Sequence, residues 1–486
     1  MEIAFFQFAS SSIHFAASLE ILKKNDSMGN RIFYNIWGAK TKYPGRMSIN
    51  FESISGKTPR KNLDLIRRAS SKTSISEKLV FDSEWVLQKK IGLMKQIDSL
   101  KNISEFKSLS FEGINPGPAL ANEITTITKN RNIELDKINQ TLALLVESYL
   151  EVYNATQKFL ETNKIDEVVL FNGRFLHERG VWDATRDSKI PILLFETTRN
   201  RYFESAKGFH NRSANQKVML KHWNDSKQRL SDKIDIGSKY FSDLRSNLNQ
   251  YSSLSDDFGE IKSPYFVFFS SSDDEAVGFW EEWNEPLGDQ LACIRKLQDI
   301  FDRQEKYRLV IRIHPNLVNK SRTVIAQWDK LLDSKSTLVI RAEQKISSYE
   351  VLNGAIGVIS FGSTIGLESV FAEKPSAVLA DCGYDELGVV DKPLTWIEVE
   401  RWIQEIDKIE YGVLSDRKQK SCVRGYYLAT GGNPFLFTDL KEIGWGAWVA
   451  IAFMGKKFNE PKGIILFRRG LSKYKFYKVR KIMVNG

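Results

Sequence analysis

Between residues 265 and 380, five short apolar runs recur: Tyr265–Ser270, Leu309–Ile313, Thr337–Ile340, Gly357–Ser360 and Ser376–Ala380. Segments with helical spacing, Gln290–Gln304, 348–353 and 364–372, fall among them. Strands alternating with helices at this interval imply a parallel sheet wound with crossover helices. The chain opens in the same way. Ile3–Phe8 reads as a strand, Ser10–Ser12 as helix-capping hydroxyls, Phe15–Leu22 as a helix and Arg31–Trp37 as a second strand. Residues 120–162 read as one or two long amphipathic helices. They are followed by a strand at Val168–Phe171, a turn at Asn172–Arg174, a helix over 176–187 and a strand at Ile190–Phe195. Residues 38–118 show weak periodicity and receive no element.

At 486 residues the chain is too long for one hydrophobic core. The polar stretch 223–262 reads as a helix and linker, which sets a first domain at 1–255 and a second at 263–440, with a tail over 441–486. The expected fold class is therefore α/β, with two Rossmann-like domains facing a cleft. Apolar residues make up 42% and aromatic residues 12%, which excludes wholesale disorder. Cys293, Cys382 and Cys422 follow no metal-ligand spacing and form no disulfide framework, so a reducing compartment is expected. The N-terminus lacks the basic start and length of a secretory signal, and no run of about 20 apolar residues provides a spanning helix. Of the net charge of +10, most lies in residues 455–486, where ten Lys and Arg face the single Glu460. The near-neutral remainder excludes a nucleic-acid-binding body, and no nucleic-acid partner is expected.

Ligands of an open parallel sheet bind outside the carboxyl ends of its strands. The run Arg308–Ile313 ends on His314-Pro315, one of only five histidines, placing an imidazole at such an end. The alternative is a histidine that only caps the strand. In Gly357–Gly366, a strand runs into Gly362-Ser363-Thr364 and then a helix. There the glycine permits close approach, and hydroxyls and helix amides suit a phosphate, although Ser and Thr also serve as ordinary caps. Ser347–Glu350 matches a capping box. Glu368, one turn into the helix, is placed either to reach a ribose hydroxyl or to stand in solvent. Asp273-Asp274-Glu275 reads as an acidic helix start rather than a metal site, so no metal ligands are assigned.

The segment Ile311-Arg312-Ile313-His314-Pro315-Asn316, followed by Ile359–Glu368 and Lys374-Pro375, resembles the bacterial capsule-polysaccharide-biosynthesis proteins. These are related to two-domain GT-B transferases that use CMP-sugars of the Kdo or sialic acid type. The resemblance covers roughly residues 263–385 and is fainter around Phe171–Arg174 and Glu196. It implies that His314, with Arg312 and Asn316 beside it, meets the donor's phosphate or assists the departing nucleotide. It implies further that Ser363 and Thr364 hold the same phosphate; with Gly362 and Glu368 from the reading above they are the expected binding residues of the donor, which is a substrate, so no separate cofactor is expected. Transition-state charge would be met by hydroxyls, amides and an imidazolium without a metal. For the acceptor's base, Glu196 is the first candidate and Glu178 the second, with His14 and His177 behind them; the Asp/Glu-Asp/Glu-Gly of the sialyltransferases is missing.

Residues 443–454 form an apolar, Trp-bearing patch directly before the basic run, a combination suited to an anionic membrane surface. The alternative is a patch that packs on the domains. The expected protein is thus a cytoplasmic, peripherally membrane-bound glycosyltransferase of surface-polysaccharide assembly, acting on a glycan or lipid-linked acceptor. The alternatives are a CDP-glycerol-type glycerophosphotransferase, a nucleotide-sugar epimerase and a non-catalytic assembly scaffold.

Overall fold

The computed structural model describes residues 1–8, 12–37, 40–43, 60–128, 130–198, 201–209, 211–249, 261, 263–272, 283–320, 322–436, 440–442 and 448–450. The chain is α/β and divides into two compact Rossmann-like units, one running from Met1 to His210 and resuming at Asn433, the other spanning Asn211 to Gly432. The first unit contains β1 (Glu2–Phe6), α1 (Ser12–Ser27), β2 (Arg31–Asn35), α2 (Arg60–Ala69), β3 (Thr73–Ser76), α3 (Ser83–Ile97), α4 (Gly117–Thr128), α5 (Asn139–Thr162), β4 (Glu167–Phe171), α6 (Leu176–Asp187), β5 (Ile192–Thr197) and β6 (Arg201–Ser205). The second contains α7 (Arg212–Asp225), α8 (Leu230–Asn249), β7 (Tyr265–Phe269), α9 (Gln290–Asp302), β8 (Arg308–Arg312), α10 (Arg322–Trp328), β9 (Thr337–Ile340), α11 (Ser348–Gly354), β10 (Gly357–Ser360), α12 (Ile365–Phe371), β11 (Ser376–Val378), α13 (Trp396–Gln404) and α14 (Tyr411–Thr430). The chain then forms β12 (Asn433–Pro434), β13 (Leu440–Glu442) and β14 (Trp448–Ala450).

In the first unit the sheet order is β12-β6-β5-β4-β1-β2-β3. The strands from β5 to β3 are parallel, while β6 runs antiparallel to β5 and β12 antiparallel to β6. Alternation along β1 puts Ile3 and Phe5 into a core with Phe15, Leu19 and Leu22 of α1. Ala4 and Phe6 face the other way, toward Val152 and Val181 of α5 and α6. Both faces are therefore covered, as a parallel sheet requires.

The second sheet, β11-β10-β7-β8-β9, is parallel throughout. Its central strand β7 is buried at every residue. Phe266 and Phe268 pack with Ile294, Leu297 and Phe301 of α9 on one face, and Val267 and Phe269 with Tyr349 and Leu352 of α11 on the other. Each such aromatic burial contributes about 1.5–3 kcal/mol.

The boundaries differ from the expected 255 and 263. The polar stretch 223–262, read as a helix and linker, holds the end of α7 and the whole of α8, and both helices pack in the second unit: His222 Nε2 lies 2.9 Å from Thr430 Oγ1, and Phe241 stacks on Phe371 at 4.8 Å. Gly237 of α8 and Gly425 of α14 let these helices touch, since a Cβ at Gly425 would fall 2.5 Å from the Gly237 carbonyl oxygen. The expected capping box at Ser347 is not formed, because Ser347 makes no side-chain capping bond; one stands instead at Thr395 and Glu398, opening α13. Of the expected tail, β13 pairs antiparallel with β14. The rest of the apolar patch and the whole basic run lie outside the described residues, as do Ser10 and Asp273–Glu275.

Candidate functional site

The second unit lays down β7, β8 and β9 in one direction, then returns to the other side of β7 with β10 and β11. This reversal makes a switch point between β7 and β10, where the connecting loops part and leave a crevice at the carboxyl ends. Ser270, Ser271 and Ser272 follow β7 there, Phe361, Gly362, Ser363 and Thr364 follow β10, and His314 follows β8 on the far side of β7.

His314 is held from two sides. Its backbone N–H donates to Ser270 Oγ (2.7 Å), and its Nδ1 accepts the N–H of Asn316 (3.1 Å). Pro315 opens the short 3₁₀ turn Pro315–Asn319 that the imidazole caps. Because an amide only donates, Nδ1 is an acceptor and the neutral ring carries its proton on Nε2. Asn316 itself is exposed and acts here through its backbone.

Arg312 is placed otherwise than expected. It is 4% exposed and donates to the carbonyls of Arg341 (2.7 Å), Gln344 (3.1 Å) and Ile346 (3.2 Å), tying down the loop after β9. Its guanidinium acts as a structural fastener between β8 and that loop.

Gly362 adopts φ +75°, and a Cβ there would lie 3.2 Å from the Asp381 carbonyl oxygen. Ser363 is half-buried and Thr364 exposed. The Ser363 carbonyl accepts from the Tyr384 hydroxyl and from Gly366 N–H (3.0 Å). Thr364 precedes α12 without making a side-chain capping bond, so its hydroxyl is not spent as an ordinary cap. The Glu368 carboxylate accepts from the hydroxyls of Tyr349 and Thr364, and burial raises its pKa despite them. Two side chains unmarked by the sequence reading complete this edge. Buried Gln290 accepts Ser271 N–H (2.7 Å) and donates to Ser271 C=O (3.3 Å), and Lys320 Nζ donates to Ser272 Oγ (2.8 Å).

The first unit has a comparable reversal, between β1 and β4. His14 of α1, Asn172 and Arg174 after β4, and Glu196 and Thr197 at the end of β5 gather there. Asn172 takes the left-handed φ of +53°, tolerable for its short polar side chain. Its amide donates to Glu196 Oε2, while Glu196 Oε1 accepts Thr197 N–H (2.9 Å). Burial raises the Glu196 pKa more than these donors lower it. His14 Nδ1 lies 2.7 Å from Thr197 Oγ1, with its ring 4.0 Å from that of Phe171. Burial, aided by the charge of Arg174, pushes its pKa down to about 4, leaving it neutral.

Glu178 stands in the first turn of α6, 1% exposed, and its Oε1 has no hydrogen-bond partner among the described residues. Burial, reinforced by Glu123, pushes its pKa up to about 8, so it is protonated at neutral pH. Glu123 accepts from Tyr43 Oη (2.8 Å). His177, also buried, has Nε2 3.2 Å from Thr41 Oγ1 and a pKa pushed down to about 4 by burial. Of the two candidate carboxyls, Glu196 lies at the carboxyl end of β5, half-buried with each oxygen engaged, and Glu178 lies in the first turn of α6, uncharged and enclosed. Among the described residues no group of three or more His, Cys, Asp and Glu is arranged to hold a metal ion, and no helix is long and apolar enough to cross a membrane.

Of the residues the sequence reading passed over, only the serines carried a signal, as a Ser-Ser-Ser run directly after an apolar strand. Lys320, Gln290, Glu123 and Tyr43 meet their partners through folding alone.

No protein-family model matches the chain, and no curated protein matches it. Solved structures similar to it include Thermosulfurimonas dismutans KpsC, a beta Kdo 2,4 transferase, at 10% identity over 47% of this chain and 73% of that one, with a TM-score of 0.33. Another is the UDP-GlcNAc 2-epimerase from Neisseria meningitidis bound to UDP-GlcNAc, at 11% identity over 88% of this chain and 96% of that one, TM-score 0.33. A third is a putative UDP-N-acetylglucosamine 2-epimerase from Listeria monocytogenes, at 9% identity over 90% and 92%, TM-score 0.27. At such identities none of these proteins' activities passes to this chain.

Proposed function

We propose that the protein is a glycosyltransferase that moves a sugar from a nucleotide donor, with a CMP-sugar favoured, to a glycan or lipid-linked acceptor of bacterial surface-polysaccharide assembly. The observation that carries this reading is the chemistry of the β7/β10 switch point. Three neighbouring parallel strands end there in hydroxyls and an imidazole: Ser363 and Thr364 after β10, Ser270–Ser272 after β7, and His314 after β8. Such a row suits a phosphate ester.

In the proposed reaction the bond between the sugar's anomeric carbon and the donor phosphate breaks, and its electron pair stays on the phosphate. The donor groups of the switch point oppose that growing charge, with the His314 Nε2–H among them. The acceptor hydroxyl forms the new bond and gives its proton to a carboxylate. Glu196 is the first candidate for that base; Glu178, the second, would serve only after losing the proton it holds up to about pH 8. The proposal includes turnover without a metal, which a chelator should leave unchanged, and attachment of residues 443–486 to an anionic membrane surface.

The test is calorimetric titration of the full chain with CMP, CDP, UDP, GDP and ADP, followed by turnover of the His314→Ala and Ser363→Ala variants. Selective binding of one nucleotide and a loss of about 10²-fold or more in each variant are expected, as for groups acting on transition-state charge. Binding of none would favour the scaffold reading. Free nucleotide-sugar of altered stereochemistry, formed without acceptor, would replace the transferase by an epimerase, and consumption of CDP-glycerol by a glycerophosphotransferase.

A further inference from the structure

This inference rests on the donor-site reading and concerns what holds the Ser363-Thr364 turn in the orientation a phosphate ester would need. The turn is backed by the loop that follows β11. Tyr384 of that loop is 1% exposed, and its hydroxyl donates to the Ser363 carbonyl at the start of α12. Gly366 makes room for that hydroxyl, since a Cβ there would fall 2.5 Å from Tyr384 Oη and 2.6 Å from Ser360 Oγ. The Gly366 carbonyl is in turn bonded by the hydroxyls of Ser369 (2.7 Å) and Ser376 (2.9 Å).

The loop that carries Tyr384 is fastened on both sides of it. Gln216 of α7 donates to the Cys382 carbonyl (3.3 Å) and accepts the Glu386 N–H (2.7 Å), bracketing the tyrosine by two residues either way. Arg424 of α14 donates to the Gly383 carbonyl (2.8 Å), and its Cζ stands over the Tyr384 ring, 5.8 Å from the centroid. A side chain locked in this way can fix the position of the group it bonds. The carbonyl and the following N–H of a trans peptide point in opposite directions. With the Ser363 C=O drawn onto a buried phenol, the Thr364 N–H of the same peptide faces away from it, and Thr364 is exposed.

We propose that Tyr384 is a positioning residue of the donor site: through the Ser363 carbonyl it sets the Ser363–Thr364 peptide so that the N–H is turned toward the donor's phosphate. Tyr384 does not touch the donor, and its effect should be confined to ligands that carry a phosphate.

The experiment titrates the full chain and its Tyr384→Phe, Gly366→Ala and Ser363→Ala variants with whichever of CMP, CDP, UDP, GDP or ADP binds the parent protein best, and with the matching nucleoside. Tyr384→Phe keeps the ring and removes only the oxygen; it is expected to weaken the nucleotide by about three- to tenfold, the worth of one aligned hydrogen bond, and to leave the nucleoside unchanged. Gly366→Ala crowds the hydroxyl off the carbonyl and should show the same selective loss, which decides the matter should Tyr384→Phe fail to fold. Equal weakening of nucleotide and nucleoside, or a lowered urea midpoint with unchanged nucleotide affinity, would show a merely structural tyrosine and overturn the proposal. Loss of nucleotide affinity in Ser363→Ala alone would overturn it while leaving the donor site standing. If the parent protein bound no nucleotide, the donor-site reading would fall and this inference with it.

Discussion

At the scale of single residues, the sharpest consequence comes from Glu178. Its native pKa, near 8, lies above the unfolded value, so between about pH 4.3 and 8 the native state binds more protons than the unfolded one. Stability contributed by this group is present in full at acid pH and declines as pH rises through that window. Glu178→Gln removes the dependence. Denaturant unfolding at pH 5.5 and 8 should show the variant gaining on the parent by at least about 2 kcal/mol toward pH 8. A constant difference would refute the assignment of a neutral native carboxyl. His14 and His177 act oppositely, since their pKa values are lowered and their stabilisation is lost as pH falls from about 6.5 toward 4. They are common to both proteins and cancel in the comparison. Gly362 is a second such residue: Gly362→Val forces a β-branched side chain to φ +75° against the Asp381 carbonyl and should cost about 1–2 kcal/mol, read from the urea midpoint.

Among the elements, the loop after β9 depends on β8 through one side chain. Arg312→Ala leaves the carbonyls of Arg341, Gln344 and Ile346 without their donor and should destabilise by about 2–4 kcal/mol, while nucleotide affinity measured on folded protein stays unchanged. A selective loss of affinity would return Arg312 to the donor site. How far the elements were legible follows from their physics. Parallel central strands such as β4, β7 and β8 are short apolar runs set between helices, and the sequence marks them within a residue or two. The pair β6 and β12 was not legible, because a two-residue antiparallel strand from far along the chain has no local pattern. The helix α8 was expected in the polar stretch, but its membership of the second unit was not legible, because the contacts that assign it, such as Phe241 on Phe371, are long-range. At the candidate site, His314 and Ser363-Thr364 stood out as breaks in apolar runs. The opposite use of Arg312, inward, depends on a loop thirty residues away that no local pattern announces.

At the scale of the molecule, the two units have separate cores, so a ligand of one should be felt unequally. In scanning calorimetry a bound nucleotide is expected to raise the transition of the second unit, with a shift that grows with its concentration. A uniform shift of all unfolding would place the nucleotide elsewhere. Truncation of residues 455–486 removes ten basic side chains and should release the protein from vesicles containing anionic lipid; undiminished binding would refute the tail's role. The course of the chain has one more consequence, in time rather than space. β12 belongs to the first unit but is encoded after the whole of the second. On the ribosome, the first sheet must wait with β6 as an open edge until the second unit has been made, the interval in which a nascent chain is most exposed to pairing with a neighbour. The strand that closes that edge is made only after every strand of the second sheet.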